Sequence, residues 1–368
     1  MAHRPRTYGL ILTFWLAAVP SVAETLRLAI YNTALSRDYA GHLIRDVERR
    51  DPQVVAIADV IAAARPDIIL LTEFDHDPQN RALAGMQALL AERGLDYPTA
   101  YASTVNTGEQ TGRDMDGDGR LNEPEDAHSY ALWPGHRGMA MLSNRPLTEV
   151  RTFRTTLWAD QPDNRLTVDE RDAFGDIQRL PARAFWILRF PLLSGEIHIV
   201  AAHLQSPVFD GPDDRNGRRN ADEIDWLRRL LDGVAVRDDS GKVASLGTAP
   251  VVVMAGLNAD PFDGEALKDS LAALLTHPRI VDPGPESTGG IAVGTGAAND
   301  LHVGPPSMDT ADWRDDPGPG NLRVDYVLPD AAMEILGSGV LWPVEGEPLH
   351  EEVQASDHRL VWVDIDLR

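Results

Sequence analysis

Ile68-Ile69-Leu70-Leu71-Thr72-Glu73-Phe74 is an apolar run that delivers a carboxylate at its end. A strand this apolar has both faces buried, the habit of parallel-type strands covered on each side. The residues before it form a helix that would do the covering. Pro52 opens it, Val54, Val55, Ile57, Ala58, Ile61 and Ala62 give one apolar face, and Pro66 ends it. Leu26-Arg27-Leu28-Ala29-Ile30-Tyr31 alternates and turns polar at Asn32, predicting a first strand that runs into a functional loop. Pro250-Val251-Val252-Val253-Met254 repeats the buried type. Further strands are expected near Met139–Ser143, Ala184–Phe190, Ile197–Ala202, Arg323–Leu328 and Arg359–Ile365, with helices over Arg81–Glu92 and Arg218–Leu231. Apolar runs mixed with alternating ones predict an α/β fold with mixed sheets.

The chain has 368 residues, with 34 Lys+Arg against 57 Asp+Glu and a net charge of −23. At 43% hydrophobic and 25% charged residues it is a globular composition, enough for one large or two modest cores. The acidity removes the usual basis for gripping duplex DNA, which is neutralisation of phosphates by Lys and Arg. It leaves room for a site where a divalent cation supplies the positive charge. The absence of cysteine excludes disulfides, thiolate metal sites and a cysteine nucleophile.

Arg4 and Arg6, the apolar run from Leu10 to Val19 and the small residues of Ser21-Val22-Ala23 read as a signal peptide over residues 1–23, cleaved before Glu24. The run is short for a membrane span, so an uncleaved anchor is the weaker alternative. Cleavage removes two arginines and no acid, leaving −25 on a periplasmic or secreted chain with no later membrane span. Residues 24–368 read as one domain, expected to act as a monomer, with an acidic insertion over 103–137 and a Gly/Pro-rich one over 277–321.

Polar residues suited to metal or proton chemistry follow several of the buried strands. They are Asn32, Glu73, His203 in Val200-Ala201-Ala202-His203-Leu204, and Asn258 in Leu257-Asn258-Ala259-Asp260-Pro261. Asp325 in Arg323-Val324-Asp325-Tyr326-Val327 and the pair Asp357-His358 before the last strand complete the set. Singly, each is more simply a turn residue, a cap or a satisfied core histidine.

In this order they resemble the endonuclease/exonuclease/phosphatase superfamily, whose members include deoxyribonuclease I. The stretch Pro207-Val208-Phe209-Asp210-Gly211-Pro212 and the residues after it are similar to a bacterial secreted branch. The resemblance implies a four-layer, deoxyribonuclease I-like sandwich of two packed mixed β-sheets flanked by helices. It also implies hydrolysis of a phosphate ester by water attack. Glu73 would be the main ligand of Mg²⁺ (or Mn²⁺), with Asn32 assisting and Asp357 joining that site. His358 would contact the phosphate or act as acid/base with Asp325 behind it, and His203 and Asn258 would donate to phosphoryl oxygens. The substrate stays open among nucleic acid, nucleotide, phospholipid head group and sugar phosphate.

One position departs from the pattern. Ala255-Gly256-Leu257-Asn258 has Gly256 where the family carries an Asp that orients or deprotonates the attacking water. A catalytically weakened or inactive relative that binds phosphate ligands is therefore the alternative reading. Asp260 could stand in, but Pro261 beside it favours a turn role.

Asp114-Met115-Asp116-Gly117-Asp118-Gly119-Arg120-Leu121-Asn122-Glu123-Pro124-Glu125 fits the twelve-residue calcium loop. Asp114, Asp116, Asp118 and Glu125 would give carboxylates to Ca²⁺, Arg120 its carbonyl, and Asn122 the ninth position; the plainer reading is a solvated acidic loop. A calcium-stabilised adhesion or envelope module with no catalysis is a third hypothesis. Arg215, Arg218 and Arg219 either face a substrate phosphate or form a solvated helix start paired with Asp213, Asp214, Asp222 and Glu223.

Overall fold

A computed structural model describes residues 25–192 and 195–366; the signal-peptide reading lies outside the described residues. Two mixed sheets face each other. The first has six strands in the order Glu334–Leu341, Leu360–Asp366, Thr25–Leu35, Ile68–Phe74, Met139–Ser143, Thr99–Tyr101. The second has five, in the order Asp325–Pro329, Val251–Gly256, Gly195–His203, Phe185–Leu192, Glu149–Thr152.

Alternation within each strand explains the layers. Ile68 and Leu70 turn toward the second sheet and meet Trp186, Leu188, Val252 and Met254 in the core between the sheets. Ile69 and Leu71 turn outward onto Ile57 and Ile61 of helix Pro52–Ala64 and Leu83 and Met86 of helix Arg81–Glu92. On the far side, Val251 and Val253 pack against Ile224 and Leu227 of helix Arg215–Leu231 and Leu271 of helix Lys268–Leu275. The result is the expected four-layer sandwich, with each central strand covered on both faces. Among the described residues no helix is long and apolar enough to cross a membrane.

Local chemistry sets the ends of the elements. Asp51 caps helix Pro52–Ala64 by accepting from the Gln53 N–H, and Arg65 closes it in a left-handed conformation. The first strand continues past Asn32 because Asn32 still pairs with Thr72, and a bulge then shifts its register before Leu35. Two pairs of strands run parallel, Thr25–Leu35 with Ile68–Phe74 and Gly195–His203 with Val251–Gly256. Their C-terminal ends therefore lie at one end of the sandwich, where Asp325 and His358 also stand at the entries of antiparallel strands.

Candidate functional site

The strand ends bring six of the expected residues to one place. Asp325, almost wholly buried at the start of its strand, accepts from Nδ1 of His358 at 2.6 Å. On the other side of the ring, Nε2 of His358 lies 3.1 Å from Nδ2 of Asn32. The tautomer that satisfies both contacts carries its proton on Nδ1 and accepts from Asn32 at Nε2. Thr310 steadies the carboxylate's segment, its hydroxyl accepting from the Val324 and Asp325 N–H groups. Trp313 meets the His358 ring edge-on, 5.1 Å between centroids.

Glu73 is surrounded differently. Nη2 of Arg183 donates to its Oε1 at 2.8 Å, and the Ser36 hydroxyl donates to its Oε2 at 3.1 Å. Arg137, half exposed, stands 3.5 Å from Oε2. His203, fully buried, places Nδ1 3.9 Å from Oε1, and that nitrogen has no hydrogen-bond partner among the described residues. Burial, with Arg183 beside it, holds His203 well below the usual histidine range, so the ring is neutral. Behind Glu73, burial pushes the Asp75 carboxyl up to about 7, opposed by the N–H groups of Arg137 and Arg37.

Leu204 links the two halves. Its carbonyl accepts from Nη1 of Arg183 at 2.8 Å and from Nδ2 of Asn258 at 2.7 Å. Glu223 of helix Arg215–Leu231 holds the same region from below, accepting from the Ala182 and Gln205 N–H groups. Ala34, Glu73 and Asn258 all have positive φ, at 49°, 49° and 52°. Non-glycine residues seldom adopt that conformation, and its concentration at one spot is a mark of functional sites.

Asp357 is exposed beside these residues and shares with Asn258 the lining of a cleft of about 1360 Å³. Asp260 takes the turn role, its carboxylate accepting from the N–H groups of Phe262, Asp263 and Arg323.

The three arginines of the helix start are engaged elsewhere. Arg218 forks onto Glu170 at 2.6 and 2.9 Å, and Arg215 donates to Gln178 while lying over the Phe174 ring. Arg219 is buried and donates to the carbonyls of Leu180, His128, Arg179 and Pro181. The arginine at the centre is instead Arg183, with Arg137 beside it. Sequence reading missed both, although Arg183 in Pro181-Ala182-Arg183-Ala184-Phe185 is a charge just before the apolar run Phe185–Leu188.

The donors present suit a hard divalent cation. Glu73 and Asp357 offer oxygen, and Oε2 of Glu73, with the Ser36 hydroxyl at 3.1 Å and Arg137 at 3.5 Å, keeps acceptor capacity for Mg²⁺ or Mn²⁺. In the acidic insertion, carboxylate oxygens of Asp114, Asp116 and Asp118 all lie within 4.8 Å of one another, a group that could hold a metal. Asp114 accepts from the N–H groups of Gly117 and Gly119, which curls the loop around it. Arg120 pairs with Asp118 and Glu123, Asn122 has φ of 67°, and Glu125 stands in the short turn Pro124–Asp126, outside the triad.

Fold and site together define a two-sheet α/β sandwich protein with a histidine–carboxylate centre at its strand ends. The chain belongs to the endonuclease/exonuclease/phosphatase family, whose model matches residues 30–358. It is similar to the endonuclease/exonuclease/phosphatase of Beutenbergia cavernae, at 19% identity and TM-score 0.53, covering 93% of this chain and 72% of that one. A Bacteroides thetaiotaomicron family protein is similar at 13% identity and TM-score 0.52, covering 95% of this chain and 100% of that one. A third, from Leptotrichia buccalis, has 12% identity and TM-score 0.51, with 92% and 99% covered. No match was found among curated proteins.

Proposed function

We propose that this protein is an exported, Mg²⁺- or Mn²⁺-dependent phosphoesterase that hydrolyses its substrate by direct attack of water. The observation that carries the reading is the run Asn32–His358–Asp325, assembled from residues as far as 326 positions apart beside Glu73 and Arg183. A cation held by Glu73 and Asp357 would supply positive charge to the phosphoryl oxygens. Asp325 holds the His358 proton on Nδ1, which leaves Nε2 free to exchange its Asn32 contact for a proton from the attacking water and then to pass that proton to the leaving group. Asn258 keeps one amide N–H beyond its bond to Leu204, and Arg183 lies beside Glu73; both can stabilise charge on phosphoryl oxygens. Export rests on the N-terminal sequence alone.

Gly256 supports a second reading, a weakened relative, because no side chain stands where the family's water-orienting Asp would be. The Asp114, Asp116, Asp118 triad supports Ca²⁺ as a second, structural cation that orders the acidic insertion. The test is turnover of a broad panel of phosphomonoesters and phosphodiesters with Mg²⁺, Mn²⁺ and Ca²⁺ varied separately. Hydrolysis abolished by EDTA and restored by Mg²⁺ or Mn²⁺ is expected. No metal-dependent turnover of any ester would reject the phosphoesterase, and phosphate-ligand binding without turnover would establish the disarmed relative.

A further inference from the structure

The Gly/Pro-rich insertion is built into the histidine–carboxylate centre. Ala311 pairs with His358 in an antiparallel bridge. On either side of it the Asp312 N–H donates to the Asp357 carbonyl and the Arg359 N–H to the Thr310 carbonyl, each at 2.7 Å. The insertion therefore serves both members of the centre, Asp325 through the Thr310 hydroxyl and His358 through the Trp313 ring.

Arg359 stands where the two segments cross. It is 1% exposed, a fixed positive charge in the interior. Nη1 reaches the carbonyls of Ser356 at 2.6 Å and of Val353 and His358 at 3.2 Å, which span the turn that presents His358. Nη2 donates to Oδ2 of Asp312 at 2.9 Å, and the guanidinium lies over the Trp342 ring, 4.5 Å from its centroid. Because the guanidinium is planar and its donors are fixed relative to one another, it fixes its acceptors in the same way. Burying such a charge is unfavourable, and packing alone would be served as well by an apolar side chain.

The need for it lies in the imidazole, which must meet Asp325 at 2.6 Å and Asn32 at 3.1 Å at the same time. A backbone shift of about 1 Å breaks one of these contacts, and misplacement on that scale costs ~10²-fold in rate. We propose that Arg359 is the positioning residue of His358, and that through Asp312 it makes the seating of the insertion a condition for the His358–Asp325 hydrogen bond. Arg359 acts only through the backbone of Ser356 and His358. The proton transfer by His358 rests on the phosphoesterase reading above; its placement by Arg359 does not.

Two readouts test this. The Nδ1 proton of His358, in a short bond to a buried carboxylate, should give a proton NMR resonance far downfield of the amides that vanishes in His358→Ala. Arg359→Met and Asp312→Ala are expected to move this resonance upfield or lose it to exchange with water. The Asp312 side chain is 31% exposed, so its variant decides alone if Arg359→Met does not fold. With Mg²⁺ present, kcat is compared for methyl phenyl phosphate and methyl 4-nitrophenyl phosphate. Phenolate is the poorer leaving group and depends more on the His358 proton. Arg359→Met should lower kcat ~10²-fold for the phenyl ester and several-fold less for the nitrophenyl ester, with KM little changed; Asp312→Ala should show the same bias. A merely structural role would slow both esters alike. Equal losses on the two esters, or an unmoved resonance in the folded variants, would overturn the proposal. Turnover of neither ester by the natural chain, with the resonance still lost in the variants, would remove the phosphoesterase reading and leave Arg359 its role.

Discussion

A Cβ built on Gly256 would stand 2.9 Å from Cδ2 of His203 and 3.4 Å from Oδ1 of Asp325. The glycine is therefore part of how the buried histidine sits: the ring lies over the backbone where the family places an Asp. The two residues are also paired across neighbouring parallel strands.

Restoring the family's residue with Gly256→Asp is accordingly expected to fail. The new side chain must push the His203 ring aside and set a carboxylate beside Asp325. Overpacking of this kind costs about 1–3 kcal/mol. We expect a lower melting temperature and no rise in phosphoesterase rate. A rise of two decades in rate at unchanged stability would show that His203 yields easily and that the natural chain lacks only its base.

The His358–Asp325 pair gives a sharper outcome. Asp325→Asn cannot accept from Nδ1 with the same charge and lets the imidazole take the other tautomer. A loss of ~10²–10⁴-fold in kcat is expected, the usual range for acid–base groups. His358→Ala should lose as much, and the double variant little more, because the two act as one unit. Additive losses in the double variant would separate their roles.

Arg183 joins Glu73 to Leu204 through two different nitrogens of one fork. Arg183→Met removes the buried partner of Glu73 and leaves it the Ser36 hydroxyl and the half-exposed Arg137, so the loss should fall below the about 3–5 kcal/mol that breaking a fully buried pair costs. Arg183→Lys keeps the charge but reaches only one of the two acceptors, so it should recover part of the stability and little of the rate. Thermal melts and steady-state rates on the three proteins check this, and equal behaviour of Lys and Met would refute the fork's role.

Calcium should act on stability. The Asp114, Asp116 and Asp118 carboxylates are crowded and exposed, so without a cation they repel one another. Millimolar Ca²⁺ is expected to raise the melting temperature of the natural chain and to leave Asp116→Asn/Asp118→Asn unmoved. In EDTA the double variant should melt at or above the natural protein. A Ca²⁺ response surviving both substitutions would place the ion elsewhere.

Much of this architecture was legible because burial leaves a mark in sequence. Ile68–Phe74 and Met139–Ser143 are apolar on both faces and stand where expected, and helix Arg81–Glu92 matches its periodicity from end to end. Strand Glu334–Leu341 was not foreseen. Its Gly337 and Gly339 interrupt any apolar run, and they let the Trp362 ring lie against the backbone, where a Cβ on Gly339 would meet the indole at 3.0 Å. The strand-end polar residues could be found because each follows an apolar run. Arg183 could not be paired with Glu73 in that way, since 110 positions separate them and no local period connects them. The arginines of the helix start stood out by clustering, but Arg218 had its partner, Glu170, 48 positions away in another helix.

Asp309 makes the pH dependence of stability testable away from the catalytic residues. It is 8% exposed, and burial, with Asp260 and Asp263 nearby, pushes its carboxyl from 3.8 up to about 7. The folded protein thus binds this proton more tightly than the unfolded chain does. Its contribution to stability is fully present below pH 3.8, declines as pH rises, and is lost once pH passes about 7. Asp309→Asn cannot ionise, so that decline should disappear from the difference between the two proteins. Relative to the natural chain, the variant should gain melting temperature steadily from pH 4 to pH 7 and hold a constant lead of at least ~2 °C above that. The buried acids Asp75 and Glu223 share the same direction, each pushed up to about 7 by burial, so the natural chain keeps part of its slope in the variant. Melting curves of both proteins across that pH range decide it: a difference independent of pH would mean that Asp309 is ionised throughout.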